Sequence, residues 1–181
     1  MNARISTALA LLLCLPLTAF AQEDSDARLH HGIARSLESY TRLTIFDDVT
    51  AHVENGVVIV LGKVTMPFKK SEIEKRLADL AGVLEVRNEI TVLPVSIEDD
   101  ELRKRVARAI YGNPAFYRYA AMARPPIHII VENGGVTLTG LVPTEVDRAL
   151  ARSLASGIGE RSVTCALRTE SASREVPATR D

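Results

Sequence analysis

Apolar and polar residues alternate in two separate stretches of the chain, and both stretches carry the same ten-residue pattern. The first is VENGVVIVLG at residues 53–62 and the second is VENGGVTLTG at residues 131–140, with six of the ten positions identical. Alternation with a period of two places every second side chain on one face of a β-strand. An Asn-Gly pair between two such strands predicts a type I′ hairpin turn, so the chain predicts two copies of one hairpin. Six positions are assigned to turns and close strand packing: Asn55, Gly56, Gly62, Asn133, Gly134 and Gly140.

An amphipathic helix is predicted before each hairpin, because aliphatic residues recur there at four-residue intervals. These residues are Leu29, Ile33 and Leu37 in the first copy, and Leu102, Val106 and Ile110 in the second. Ser25 and Ser96 are the expected N-caps, since a serine oxygen can accept a hydrogen bond from a helical N–H that lacks a partner.

A second helix is predicted after each hairpin. In the first copy it begins either at Thr65, with Pro67 in the first turn, or at Ser71, where a capping box with the glutamate three residues later is available. One further strand then ends each copy, at residues 86–92 and 163–167. Both starting points remain open for the first copy, although the spacing of the repeat favours the earlier one.

This order of elements predicts an α+β fold of two tandem αββαβ units, each a three-stranded sheet packed against two helices. The first unit covers residues 25–93 and the second covers residues 97–168. Residues 169–181 are polar and show no periodicity, which predicts a disordered tail.

The first 21 residues have the pattern of a secretory signal peptide. A basic residue, Arg4, precedes an apolar stretch, and small residues precede a cleavage site after Ala21. The alternative is an uncleaved membrane anchor, although the apolar stretch is short for a membrane span. Cleavage leaves Cys165 as the one cysteine, so the exported chain forms no intrachain disulfide.

Composition and charge exclude several classes of function. The chain has 22 Lys and Arg against 23 Asp and Glu, a net charge of −1, so it carries no general footprint for nucleic acid. His30 and His31 are adjacent and diverge on a helix, so they do not converge on a metal ion. No acid, base and nucleophile converge, and no glycine-rich phosphate loop opens a helix. We therefore expect a non-enzymatic protein with no catalytic residue, metal or cofactor.

One predicted strand is apolar on both faces. Val57, Ile59 and Leu61 alternate with the core residues Val58 and Val60, so its outer face also requires a cover. That cover is either another part of this chain, or a partner protein or second copy. We assign Val57, Ile59 and Leu61 to such an interface.

The second copy is longer than the first by five residues between its first helix and its hairpin, and this region is rich in aromatic residues. Tyrosine and phenylalanine beside arginine suit a membrane interface, where the rings lie at headgroup depth and a guanidinium meets phosphate. The alternative is a loop whose rings fold back over the sheet. The predicted lipid-contact residues are Tyr111, Phe116, Tyr117, Arg118, Tyr119 and Arg124.

The two units resemble the BON domain of bacterial envelope proteins. The family pattern V-x-N-G-x-V-x-L-x-G, followed by a helix and G-V-x-x-V-x-N, fits residues 53–88 with Val60 at the Leu position. Residues 131–167 fit it except at Glu160 and Cys165, which stand at the usual Val and Asn positions. The resemblance implies a periplasmic protein that binds phospholipid or a membrane surface and supports envelope integrity. It leaves two alternatives: a potassium-responsive or osmotic-stress binding protein, and an adaptor between envelope proteins.

Overall fold

The computed structural model describes residues 17–170, with side chains from residue 26 onward. Its elements, numbered along the chain, are α1 (Leu17–Glu38), β1 (Asp48–Glu54), β2 (Val57–Val64), α2 (Pro67–Ala78), β3 (Glu85–Val92), α3 (Ile97–Tyr111), α4 (Tyr117–Ala120), β4 (Ile127–Glu132), β5 (Gly135–Val142), α5 (Glu145–Leu154), β6 (Ser162–Cys165) and β7 (Arg168–Thr169). Both halves share the predicted order of helix, hairpin, helix and strand, which confirms two tandem α+β units.

Each half builds its sheet around the return strand of its hairpin. In the first sheet β2 is central, antiparallel to β1 and parallel to β3. In the second sheet β5 is central, antiparallel to β4 and parallel to β6. Parallel neighbours need a crossover connection, and the predicted second helices α2 and α5 provide it. The predicted core residues Val58 and Val60 are fully enclosed, and so is Leu138 at the position of Val60 in the second copy.

A carboxylate on the first helix of each half holds the hairpin turn. Asp99 accepts hydrogen bonds from the N–H groups of Asn133 and Gly134, both at 2.8 Å. Asp26 of α1 accepts one from the N–H of Asn55 at 3.2 Å. The two turns have the positive φ angles that a type I′ turn requires, 52° and 77° at Asn55 and Gly56, and 51° and 75° at Asn133 and Gly134.

Three details at the ends of the units differ from expectation. The prediction that Ser25 caps the first helix is wrong, because α1 begins at Leu17. The second sheet has a fourth strand, β7, which pairs with β5 at Leu141 and Val142. Thr169, assigned to the disordered tail, lies in β7 and is buried, and its hydroxyl donates to the Glu145 carboxylate at 3.1 Å. The rest of that tail, residues 171–181, lies outside the described residues.

The starts of helices α3 and α2 agree with the capping signals in the sequence. Ser96 caps α3 by accepting a hydrogen bond from the N–H of Asp99 at 3.1 Å, as predicted. Helix α2 begins at Pro67, which selects the earlier of the two predicted starts. No helix within residues 17–170 combines the length and apolar character that a membrane span needs. Most of the predicted signal peptide, residues 1–16, lies outside the described residues.

Candidate functional site

The aromatic segment divides into buried rings and an exposed tip. Phe116 is fully buried and Tyr119 is 5% exposed, and their rings stack with centroids 5.9 Å apart in the second core. Tyr111 is partly buried and donates its hydroxyl to the main-chain oxygen of Ile127. Burial raises the pKa of the Tyr111 hydroxyl well above its ordinary value. The prediction of a lipid-contact surface that includes Tyr111, Phe116 and Tyr119 is therefore wrong in position, because these rings complete the core.

The exposed part of the segment keeps apolar and cationic side chains together. Tyr117 is 71% exposed and Met122 is 47% exposed. Arg118, between them, donates to the Tyr119 hydroxyl at 2.8 Å and lies over that ring at 4.7 Å from its centroid. The hydrogen bond to Tyr119 raises the pKa of Arg118, so the guanidinium stays charged. We call Tyr117, Arg118 and Met122 the tip.

The chain around the tip is basic. Residues 102–131 contain no Asp or Glu and six cations: Arg103, Lys104, Arg105, Arg108, Arg118 and Arg124. Arg108 is exposed and lines a shallow depression of about 390 Å³ together with Ala120 of α4. Arg103 and Arg105 form ion pairs with Asp100 and Glu101, so they add little to the positive charge near the tip. The other four cations form no ion pair with a described residue, and sequence reasoning considered only the two arginines next to the rings.

Arg124, the last residue of the predicted lipid set, instead joins the two halves. Its guanidinium donates to the main-chain oxygens of Leu37 at 2.9 Å and Tyr40 at 3.0 Å. These carbonyls lie at the C-terminal end of α1, where the helix dipole favours a cation. Lys63 of β2 also forms an ion pair with Glu132 of β4.

A main-chain contact and a histidine complete this connection. The N–H of Ile129 in β4 donates to the main-chain oxygen of Ile45 at 2.7 Å. Nδ1 of His128 lies 2.6 Å from the main-chain oxygen of Asp47. His128 therefore contributes a side-chain contact between the two halves.

Asp47 is the centre of a buried polar cluster at the same place. Its carboxylate pairs with the Lys69 ammonium at 2.6 Å, and both side chains are buried. It also accepts hydrogen bonds from the N–H and hydroxyl groups of Thr44 and Thr65, at 2.7–2.9 Å. Burial raises the pKa of this carboxyl, but the hydrogen bonds from Lys69, Thr65 and Thr44 outweigh it, so the pKa of Asp47 lies below its ordinary value. No sequence pattern marked this cluster, because its members are isolated polar residues in a connecting segment, at a strand end and on a helix.

A cleft of about 690 Å³ lies between the halves beside this cluster. One wall is formed by α1 and the start of β1, and the other by residues 123–126 and His128. Most of the lining is apolar: Ala34, Leu37, Leu43, Ile45, Val49, Ala123, Pro125 and Pro126.

The apolar row Val57, Ile59 and Leu61 is half-buried on the outer face of β2. Its neighbours across the sheet include His52 and Arg87, which flank Ile59 in register. Its assignment as an interface stays a prediction.

Neither metal binding nor the thiol marks a further site in the described part of the chain. Among residues 26–170, no group of three or more His, Cys, Asp or Glu side chains is placed to hold a metal ion. Cys165 is a partly buried thiol that packs against the second core.

Comparison with known proteins identifies the repeated unit. A family model described as the BON domain matches the chain twice, at residues 25–94 and 98–170. A search of curated protein sequences finds no match. The structure of CdsD, a structural protein of the type III secretion system of Chlamydia trachomatis, aligns with a TM-score of 0.30 and 16% identity, covering 85% of this chain and 99% of that chain. The C-terminal domain of CdsD aligns with a TM-score of 0.31 and 15% identity, covering 78% of this chain and 96% of that chain.

At these TM-scores neither alignment supports a conclusion about fold or function. The two family matches together span most of residues 17–170, and each covers one helix–hairpin–helix–strand unit except for the start of its first helix. The chain therefore belongs to the BON-domain family and carries two BON domains in tandem.

Proposed function

We propose that this protein is an exported, non-enzymatic BON protein that binds the surface of a phospholipid membrane and supports the integrity of the envelope. BON domains as a class bind phospholipid or membranes, and proteins of the family are typically periplasmic. The observation that carries the proposal is the tip, where Tyr117 and Met122 expose apolar side chains within four residues of Arg118. No Asp or Glu occurs in the sequence between residues 102 and 131.

The energetics require both components of the tip. Cations near an anionic membrane contribute about 1 kcal/mol each, which is too weak alone to hold a protein at the surface. Burying a methionine or an aromatic side chain contributes about 1.5 kcal/mol or more. Binding should therefore tolerate moderate salt and should depend on Tyr117 and Met122.

The test is sedimentation of the chain from Gln22 onward with vesicles of equal parts phosphatidylglycerol and phosphatidylethanolamine. Replacing Tyr117 and Met122 together by Ser should weaken binding by about tenfold or more, since each 1.4 kcal/mol corresponds to a factor of ten. The matched control replaces Met66 and Phe68 by Ser, because these apolar side chains at the start of α2 are exposed to a similar degree.

Each outcome decides the proposal. Loss of binding in the tip variant but not in the control supports it. Loss in the control alone moves the contact to α2 and contradicts the assignment to the tip. No binding by the parent chain contradicts the membrane function. Export is tested separately by sequencing the N-terminus of the protein recovered from the periplasm, which should be Gln22.

A further inference from the structure

The outer face of the first sheet carries an apolar row between two polar borders. Val57, Ile59 and Leu61 form the row on the central strand β2, and each of them is half-buried. The residues in register with the row on the neighbouring strands are all exposed: Thr50, His52 and Glu54 on β1, and Glu85, Arg87 and Glu89 on β3. The face is therefore accessible on both sides of the row.

The fold itself does not require an apolar row at this place. In the second domain the corresponding outer positions of β5 are Gly135, Thr137 and Thr139, although β5 is also the strand between two neighbours in its sheet. An apolar row on only one of two otherwise similar sheets indicates a contact that the first domain alone makes.

The second domain borders one end of this face. Lys63 continues the outer row beyond Leu61, and its ammonium forms an ion pair with Glu132 of β4. The opposite end, at the hairpin turn, carries Leu84, which is 80% exposed. The Leu84 side chain lies against the turn, since a Cβ at Gly56 would be 3.0 Å from its Cγ. A partner of this face is therefore expected at the end that carries the turn.

Two rows of residues across the sheet at this end have complementary charges. Each row takes one residue from each strand, and the rows are His52, Ile59 and Arg87, and Glu54, Val57 and Glu85. Within the chain, Nε of Arg87 donates to the Glu85 carboxylate at 2.9 Å, and the two side chains are 55% and 53% exposed. Both charges can therefore make further contacts with a partner.

We propose that this face binds a second copy of the chain, sheet against sheet, in a two-fold symmetric dimer. A rotation axis that crosses the strands between the two rows brings each row opposite the other row of the second copy. Arg87 then faces Glu85 of the second copy, and His52 faces Glu54 of the second copy. By symmetry each contact occurs twice. The strands of the two sheets are aligned and run in opposite directions, and aligned strands are common where two sheets pack together.

The apolar side chains fit the same arrangement. Ile59 meets Val57 of the second copy at the centre, and Leu61 reaches the turn of the second copy, where Leu84 is exposed. The eight residues of β2 span about 27 Å, and three strands are about 14 Å wide. The buried area is therefore at the lower end of the range for specific complexes, and we expect a Kd of about 10 μM.

Other two-fold orientations bring like charges together. An axis along β2 would set Glu54 against Glu85 of the second copy. An axis through the row of Arg87 would set this guanidinium against its own copy. An axis one row nearer to the second domain would set Glu54 against Asp48 of the second copy. Like charges in contact disfavour an interface, so the charges select the proposed register.

Exchanging the charges tests this register. The variants are Arg87→Glu and Glu85→Arg in the chain from Gln22 onward, and sedimentation equilibrium measures their association. Each variant alone should associate about tenfold or more weakly than the parent, because like charges then meet twice in its dimer. An equimolar mixture of the two variants should regain the association of the parent, since both glutamates of one copy then face both arginines of the other.

Arg161→Glu is the matched control, because it makes the same change of charge at an exposed residue of the second domain. Its association should equal that of the parent, and circular dichroism of every variant checks that the fold is retained. A parent chain that stays monomeric at about 100 μM overturns the proposal. Association that survives either exchange also overturns it, and so does a mixture that remains monomeric.

Discussion

The imidazole of His128 donates a hydrogen bond from Nδ1 to the main-chain oxygen of Asp47, 2.6 Å away, and so links the second domain to the entrance of β1 in the first. A carbonyl oxygen only accepts, so Nδ1 carries the proton. The Asp47 side chain meanwhile holds Lys69 of α2. One residue thus fixes the first strand, the crossover helix and the position of the next domain.

Removing only one partner of the Asp47–Lys69 ion pair should destabilise the protein. Lys69→Met leaves a buried carboxylate without its cation, and we expect the free energy of unfolding to fall by about 3 kcal/mol. Urea unfolding measures this change. Lys75→Met on the same helix is the control, because Lys75 is exposed and has no ion pair with a described residue. Equal effects of the two substitutions would contradict a specific role of the pair.

The lowered pKa of Asp47 gives stability a defined dependence on pH. The ordinary value is 3.8, and the folded-state value lies below it, so the folded protein binds the proton less readily than the unfolded chain does. The stabilisation is present above pH 3.8 and is lost as the pH falls through the folded-state pKa. The free energy of unfolding, measured at several pH values from 5 down to 2, should therefore fall less steeply with decreasing pH for Asp47→Asn than for the parent protein. Identical slopes would remove Asp47 from the acid response.

Glycine substitutions should change stability in opposite directions in the first domain. A Cβ at Gly62 would overlap the Asp48 main-chain oxygen, and φ there is 132°. Gly62→Ala should therefore destabilise by about 2 kcal/mol or more. Gly32 lies inside α1 with Leu80 as its nearest contact at 4.0 Å, so Gly32→Ala should stabilise by about 1 kcal/mol. Thermal unfolding of both variants is the measurement. A loss of stability in both would contradict the prediction that Gly32 reduces the stability of α1.

The sequence predicts the parts of this fold that depend on neighbours in the chain. Alternating residues and Asn-Gly pairs determine both hairpins, and four-residue spacing determines α1 and α3, because each signal acts within a few residues. Contacts between the domains have no such signal. Arg124 meets Leu37 across 87 positions, and Lys63 meets Glu132 across 69.

Composition alone does not predict whether the rings of the aromatic segment are buried or exposed, because a tyrosine or phenylalanine suits a core as well as a membrane interface. The spacing of the aromatic residues indicates in part which rings are buried. Phe116 and Tyr119 are three residues apart and face one side of the short helix turn, as i and i+3 residues do, whereas Tyr117 and Arg118 point to the other side and are exposed.

The apolar row on β2 makes a prediction about self-association. Ile59 is half-buried with His52 and Arg87 beside it, so Ile59→Lys should change the unfolding free energy of one chain by less than about 1 kcal/mol. If a second copy covers the row, the same substitution should lower the mass measured by sedimentation velocity at high protein concentration. Ser153→Lys is the control, because Ser153 is exposed on α5 of the second domain. An unchanged mass for Ile59→Lys would contradict this interface between copies.

Phe116 and Tyr117 are adjacent but should respond oppositely to replacement by alanine. Phe116 is enclosed by the second core, so Phe116→Ala should lower the free energy of unfolding by about 3 kcal/mol or more through loss of packing and the cavity it leaves. Tyr117 is exposed, so Tyr117→Ala should change stability by no more than about 0.5 kcal/mol while it weakens binding to anionic vesicles. Under conditions where the Phe116→Ala protein remains folded, its binding should match that of the parent. The reverse pattern, with stable protein but lost binding in Phe116→Ala, would mean that the ring leaves the core to reach the membrane.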